Sequence, residues 1–181
     1  MGQADSCPMG GNIMMQAVIM AGGKGTRLAA LTKDEIPKPM VPVAGKPLLL
    51  WQVERLKENG ITDIIMVIGH LGDKIKEYFG DGEKFGVAIR YYEETEPLGT
   101  AGSFYYLKDM IHGERFVMMS GDLFFDIDFQ RMIRFHEEKG AVATLFVHPN
   151  GHPFDSDLLV LDKDDKITAF DSKHNVRVLL V

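Results

Sequence analysis

In Ala17-Val18-Ile19-Met20-Ala21-Gly22-Gly23-Lys24-Gly25-Thr26-Arg27-Leu28 a short apolar run empties into glycine. The run reads as a buried parallel strand. Three glycines within four residues then bring backbone N–H groups to one point, and without Cβ atoms that backbone can come close to a guest. A phosphate is the guest such a loop suits. The dinucleotide pattern G-x-G-x-x-G fails at Leu28, and the P-loop pattern fails because Gly25 follows Lys24. What remains is a glycine loop carrying two cations, Lys24 and Arg27, fitted to polyphosphate oxygens.

Composition limits what can surround this loop. The chain has 181 residues, 45% hydrophobic and 25% charged, the make-up of one ordinary globular domain. No apolar run approaches the ~18–20 residues of a membrane span, and the first residues lack the pattern of a signal peptide, so a cytoplasmic protein is expected. Cys7 is the single cysteine, which excludes an intramolecular disulfide or a thiolate metal cluster within one chain. A net charge of -6 argues against a nucleic-acid-binding surface, so an anionic ligand has to be met by a local basic cluster.

Residues 1–14 show no periodicity and read as a flexible leader or an expression remnant, with one domain over 15–181. Pro37, Pro39 and Pro42 exclude helix around Lys38 and predict a stiff, extended segment. Leu48 to Leu56 predicts an amphipathic helix closed by Asn59-Gly60. Strands are predicted over 63–69, 87–92, 115–120 and 142–147, with helices over 73–79, from about Gly99 to Met110, and over 129–139. Short strands are expected at 158–161, 166–170 and 176–181. Met118, Met119, Phe124 and Phe125 read as core. Alternating strands and helices predict an α/β fold, a three-layer αβα sandwich with a Rossmann-like, mostly parallel sheet. In such sheets ligands bind beyond the carboxyl ends of the strands. The glycine loop, the stretch 93–99 and Gly121-Asp122 each follow a strand and should face one crevice.

Asp122 would stand there as a carboxylate suited to a hard cation bridging phosphates. Leu98-Gly99-Thr100 opens a helix and can offer N–H groups to an anion or to the edge of a base. Lys38 between its prolines is held more firmly than an ordinary surface lysine needs. The segment His148 to Asp157 gathers histidines and carboxylates, but its prolines and glycine favour a turn-rich loop over a metal site.

The ordered set Ala21–Leu28, Pro37–Pro47, Pro97–Gly102 and Gly121-Asp122 resembles the sugar-phosphate nucleotidyltransferases, with a local texture similar to the guanylyltransferases acting on mannose 1-phosphate or manno-heptose 1-phosphate. The resemblance implies an enzyme joining a nucleoside triphosphate, GTP favoured, to a sugar 1-phosphate, giving an NDP-sugar and pyrophosphate with Mg²⁺ as cofactor. It implies that Ala21, Gly22, Gly23, Lys24, Gly25, Thr26 and Arg27 wrap the triphosphate, with Leu98, Gly99 and Thr100 at the base. Arg27, Lys38 and Asp122 are then the catalytic set, Asp122 the metal ligand and Lys173 a sugar-phosphate contact. Ala30 and Ser172 depart from the family pattern, which commonly has proline and glutamate there. The resemblance also implies a truncated C-terminal part, whose missing portion would add a strand and a second metal-binding aspartate, and it leaves the apolar end Val178–Val181 to be covered, for example in a homodimer. Other readings are a non-catalytic nucleotide- or NDP-sugar-binding regulatory subunit on the same fold, and a uridylyl- or thymidylyltransferase acting on glucose 1-phosphate. A dinucleotide-dependent oxidoreductase is disfavoured by Leu28.

Overall fold

The computed structural model describes residues 15–23, 35–96, 99–149 and 156–172. The chain divides into two compact units, residues 1–133 and 134–181.

The first unit is built on strand β1 (Gln16–Met20). A hairpin of β2 (Pro42–Val43) and β3 (Lys46–Pro47) leads into helix α1 (Leu48–Glu58). Strand β4 (Asp63–Ile68), helix α2 (Gly72–Phe79), strand β5 (Ala88–Glu93), helix α3 (Gly99–Leu107), strand β6 (Phe116–Ser120) and helix α4 (Phe129–Lys139) follow, the last running on into the second unit. Four of the strands form one sheet in the order β5-β4-β1-β6, with every pairing parallel.

Side chains alternate across a strand, and here both faces are buried. Ala17 and Ile19 of β1, with Ile64, Met66 and Ile68 of β4, join Leu49, Val53 and Leu56 of α1 and Ile75 and Phe79 of α2 in the larger core. Val18, Ile65 and Val67 face the other way, onto Leu107 with Phe104, Met110 and Ile111. Helices thus cover both faces, which is the αβα sandwich expected from the alternation of elements. The amino ends of the strands are closed by a polar knot. Gln16, 2% exposed, donates from Nε2 to Asp63 Oδ2 (2.8 Å) and to the Met110 carbonyl (3.3 Å), and its Oε1 accepts the His112 N–H. Arg90 in turn donates to Asp63 (2.9 Å).

The β2–β3 hairpin turns on Ala44 (φ 48°) and Gly45 (φ 88°), a two-residue loop with both centres left-handed. Glycine is at ease there and alanine is not. Ala44→Asn is expected to raise the unfolding free energy by about 1 kcal/mol in urea titrations, since asparagine tolerates this conformation.

In the second unit, β7 (Leu158–Leu161) and β8 (Ile167–Asp171) pair antiparallel. Their turn is held by Asp162, whose Oδ1 accepts the N–H groups of Asp164 (2.9 Å) and Lys166 (3.0 Å). These backbone bonds hold its carboxyl below the ordinary value.

Three expectations need correction. Residues 142–147 carry no strand, and Val142, Leu145, Phe146 and Val147 are exposed; an apolar, β-branched run supplies propensity, whereas a strand also needs a partner backbone. The proline segment is not extended throughout, because Lys38–Met40 makes a 3₁₀ turn, which a fixed proline φ near -65° permits. Met118 and Phe124 are not core, at 44% and 64% exposure. β6 is the outermost strand of the described sheet, which leaves Met118 thinly covered, and Phe124 turns outward to meet Trp51 edge-on (5.9 Å between centroids). The expected strand over 176–181 lies outside the described residues.

Candidate nucleotide-binding site

The sheet places its opening by topology. From β1 the chain winds outward through β4 to β5, then returns to set β6 on the other side of β1, so the order reverses between β1 and β6. That is the switch point at which open α/β sheets bind ligands. The two strands end together, with Met20 paired to Ser120. Beyond them Ala21 N–H donates to the Val67 carbonyl (2.7 Å) and Gly121 N–H to the Met20 carbonyl (2.8 Å).

The exits approach one another closely enough that a side chain at their glycines would crowd the neighbouring strand ends, most severely at Gly69. A Cβ on Gly69, just after β4, would stand 2.9 Å from the Gly22 carbonyl oxygen, and one on Gly22 would stand 3.0 Å from Glu94 Oε2, just after β5. A Cβ on Gly121 would meet Ala21 Cβ at 3.1 Å and the Met20 carbonyl oxygen at 3.3 Å. The exits from all four sheet strands therefore converge at one end of the sheet, as expected for a shared crevice. Among the described residues nothing lies within 4 Å of the would-be Cβ of Gly23. Glu94 is held in place by Ser103, whose hydroxyl donates to Oε1.

Lys38 reaches this end from the 3₁₀ turn. Met40 N–H bonds the Pro37 carbonyl (2.7 Å), Val41 N–H bonds the Lys38 carbonyl (3.1 Å), and Pro39 is buried beneath, so the lysine backbone has little freedom. Its Nζ forms an ion pair with Asp122 Oδ2. Ser120 Oγ donates to Asp122 Oδ1 (2.5 Å). Burial works against ionising Asp122, but the hydrogen bonds from Lys38 and Ser120 and the lysine charge outweigh it, so the carboxyl stays below its ordinary value. Near neutral pH the site therefore holds a fixed anion beside a fixed cation. Lys46, the other lysine of the proline segment, is engaged elsewhere, paired with Glu54 and lying 3.5 Å from the Trp51 ring centroid.

Among the described residues no group of three or more His, Cys, Asp or Glu could enclose a metal ion. A dedicated protein cage is thus absent from them. Asp122 alone fits the manner in which Mg²⁺ is usually held, by one or two carboxylates with substrate phosphates and water completing the shell. His148 bonds the Pro149 carbonyl (2.9 Å), and most of its loop lies outside the described residues.

Of the residues singled out by sequence, Ala21, Gly22, Gly23, Lys38 and Asp122 come together, and Gly99 and Thr100 open α3. Lys24, Gly25, Thr26, Arg27, Leu98 and Lys173 lie outside the described residues. The sequence placed Glu94 at the crevice only as part of the stretch 93–99, and it did not single out Gly69 or Ser120. Each sits at the carboxyl end of a predicted strand, so the rule that placed Asp122 would have reached them too.

The pattern of the family described as "Nucleotidyl transferase" matches residues 16–176. Over 160 residues the chain is 39% identical to a D-glycero-alpha-D-manno-heptose 1-phosphate guanylyltransferase of Campylobacter jejuni, spanning 88% of this chain and 69% of that one. It is 34% identical over 179 residues to a UTP--glucose-1-phosphate uridylyltransferase of Synechocystis, spanning 92% of this chain and 46% of the relative. It is similar to a crystal structure of HddC from Yersinia pseudotuberculosis complexed with GMP-PN, with a TM-score of 0.69, 25% identity, and coverage of 88% of this chain and 69% of that one. The chain spans about half the length of several curated relatives.

Proposed function

Because the chain belongs to the nucleotidyl transferase family, we propose that it transfers a nucleotidyl group from GTP to a manno-configured sugar 1-phosphate, mannose or manno-heptose, releasing pyrophosphate. The observation that carries this reading is the Lys38–Asp122 pair at the switch point, against the glycine exits of β1 and β6. A sugar-phosphate oxygen attacks the α-phosphorus; the new P–O bond forms as the bond to the bridging β-phosphate oxygen breaks, and pyrophosphate leaves with the electron pair. Such transfer needs alignment and charge neutralisation more than a protein nucleophile. The backbone of Gly22 and Gly23 lets the phosphates approach, and Lys38 supplies a positioned charge, joined by Lys24 and Arg27. Lys173 receives the sugar phosphate. Asp122 would hold Mg²⁺ against the phosphates, the ion supplying charge neutralisation there.

Glu94 supports guanine over uracil or thymine. Its carboxylate is acceptor-only, complementary to the N1–H and N2–H₂ donors of guanine, whereas uracil flanks its single N–H with two carbonyls. Glu94→Gln is expected to lower the preference for GTP over UTP by about 10- to 100-fold, within the roughly 1–3 kcal/mol of a bidentate base contact, as measured by competition binding. An unchanged preference would remove Glu94 from base recognition.

A regulatory, non-catalytic reading has one observation in its favour: Asp122, the residue placed to hold a metal ion, is already engaged by Lys38 and Ser120. Pyrophosphate release decides between the two. It is to be measured with GTP, UTP and dTTP against mannose, manno-heptose and glucose 1-phosphates, on this chain and on one carried to the length of the relatives. Release with GTP and a manno-configured substrate is expected. Nucleotide binding without release in either form would favour the regulatory reading.

A further inference from the structure

Helix α1 carries a polar residue on its buried face. Gln52 is 2% exposed, and its helix neighbours Leu49, Val53 and Leu56 all belong to the larger core. Burial of a primary amide is unfavourable unless its groups are satisfied. Only half of this one is. Nε2 donates to the carbonyls of Ser120 (3.0 Å) and Leu123 (2.6 Å), while Oε1 has no hydrogen-bond partner among the described residues. Because both neighbours are acceptors, the amide orientation is dictated by them, and the amide is placed for what its NH₂ group does.

Those two carbonyls bracket Gly121-Asp122. Here the chain leaves the β1–β6 ladder, which ends at Ser120, and carbonyls beyond a ladder have to find other donors. On the opposite side the same turn is tied by Gly121 N–H to the Met20 carbonyl. Asp122 is thus presented by a turn clamped from β1 and from α1. α1 is tied as well to the Lys38 segment, since Leu48 N–H bonds the Val41 carbonyl (3.0 Å), directly after the 3₁₀ turn. One helix mounts both members of the ion pair.

We infer that Gln52 is a positioning residue for the phosphate end of the site: its NH₂ bridges the carbonyls of Ser120 and Leu123 and fixes the turn that aims the Asp122 carboxylate at Lys38. The inference deepens the transferase reading, but the clamp itself can be tested whether or not turnover occurs.

The test combines amide hydrogen exchange with steady-state kinetics. Gln52→Met keeps the volume and removes both donors. Exchange at Gly121 is expected to accelerate about tenfold or more while the β4 amides Ile65 to Val67 stay protected. In the form that releases pyrophosphate, kcat should fall about 10–100-fold with the GTP dissociation constant changed less than threefold, as for partners that orient a ligating group. Gln16→Met is the control. It removes a second buried amide, at the far end of the sheet, and should not single out Gly121. If Gln52→Met fails to fold, the parent chain still decides: two hydrogen-bonded Nε2 protons should exchange slowly and shift on addition of GTP with Mg²⁺. Unaltered Gly121 exchange in a folded variant, equal effects of the two substitutions on Gly121, or solvent-rate exchange of the Gln52 side chain would each overturn the inference. Absence of pyrophosphate release from the parent would overturn the transferase reading and leave the exchange result standing.

Discussion

Lys38→Ala should lower the rate of pyrophosphate release about 10²–10³-fold, the scale of losing one preorganised charge-stabilising donor, while Lys46→Ala should change it less than about threefold. Both lysines belong to the proline segment and carry the same charge, so composition cannot separate them. Geometry does. Lys38 is held by the 3₁₀ turn on the Asp122 carboxylate, whereas Lys46 is spent on Glu54 and the Trp51 face. Equal losses would show that the proline-framed position is not special. The substitution has a second readout that needs no substrate. With Lys38 gone, burial acts on Asp122 with less opposition, and its carboxyl should titrate at higher pH than in the parent, as followed by carbon NMR. The sign for stability follows. A carboxyl held below its unfolded value, ~3.9 for aspartate, stabilises the fold above that value and loses the contribution as pH falls through the lowered folded one. The acid limb of stability should therefore be shallower in Lys38→Ala than in the parent, discounted for a pair about one-third exposed.

Gly69→Ala should weaken GTP binding about 5- to 150-fold in calorimetry and lower stability by about 1–3 kcal/mol, the usual range for forcing an extra carbon into packed structure. The new Cβ would lie 2.9 Å from the Gly22 carbonyl oxygen, which is backbone and cannot rotate away. Relief requires the first glycine of the phosphate loop to move. Gly23→Ala makes the comparison sharp, because among the described residues its Cβ would meet nothing within 4 Å. Its stability should stay within about 0.5 kcal/mol of the parent, and any loss of affinity there reports on ligand approach alone. Should Gly69→Ala bind GTP as the parent does, the β1 exit is not part of the nucleotide site.

The central architecture was legible because the physics behind it is local. Ala17–Met20, Ile64–Ile68 and the strand before Gly121 are apolar runs without helical period, and glycine or asparagine marks where α1 and β1 stop. The strand-end rule then brought Gly22 and Asp122 to one place without any knowledge of strand order. What stayed illegible depends on partners distant in sequence. Nothing around Glu94 announces that Ser103 will hold it, and Gln52 reads as one polar residue on an apolar helix face until the carbonyls of Ser120 and Leu123 are seen beside it. Residues 142–147 show the converse: the pattern of a strand was present, and the pairing that makes one was not.

The ion pair at the centre of the site joins residues 84 positions apart. At ~5–20 residues per second, the pace of synthesis, Asp122 is made roughly 4–17 s after Lys38. Strands β1 and β4 can already pair in that interval, but β1 has to wait for β6 with one edge open. A nascent chain therefore holds the glycine exit and its lysine for several seconds before the carboxylate that completes them has been made.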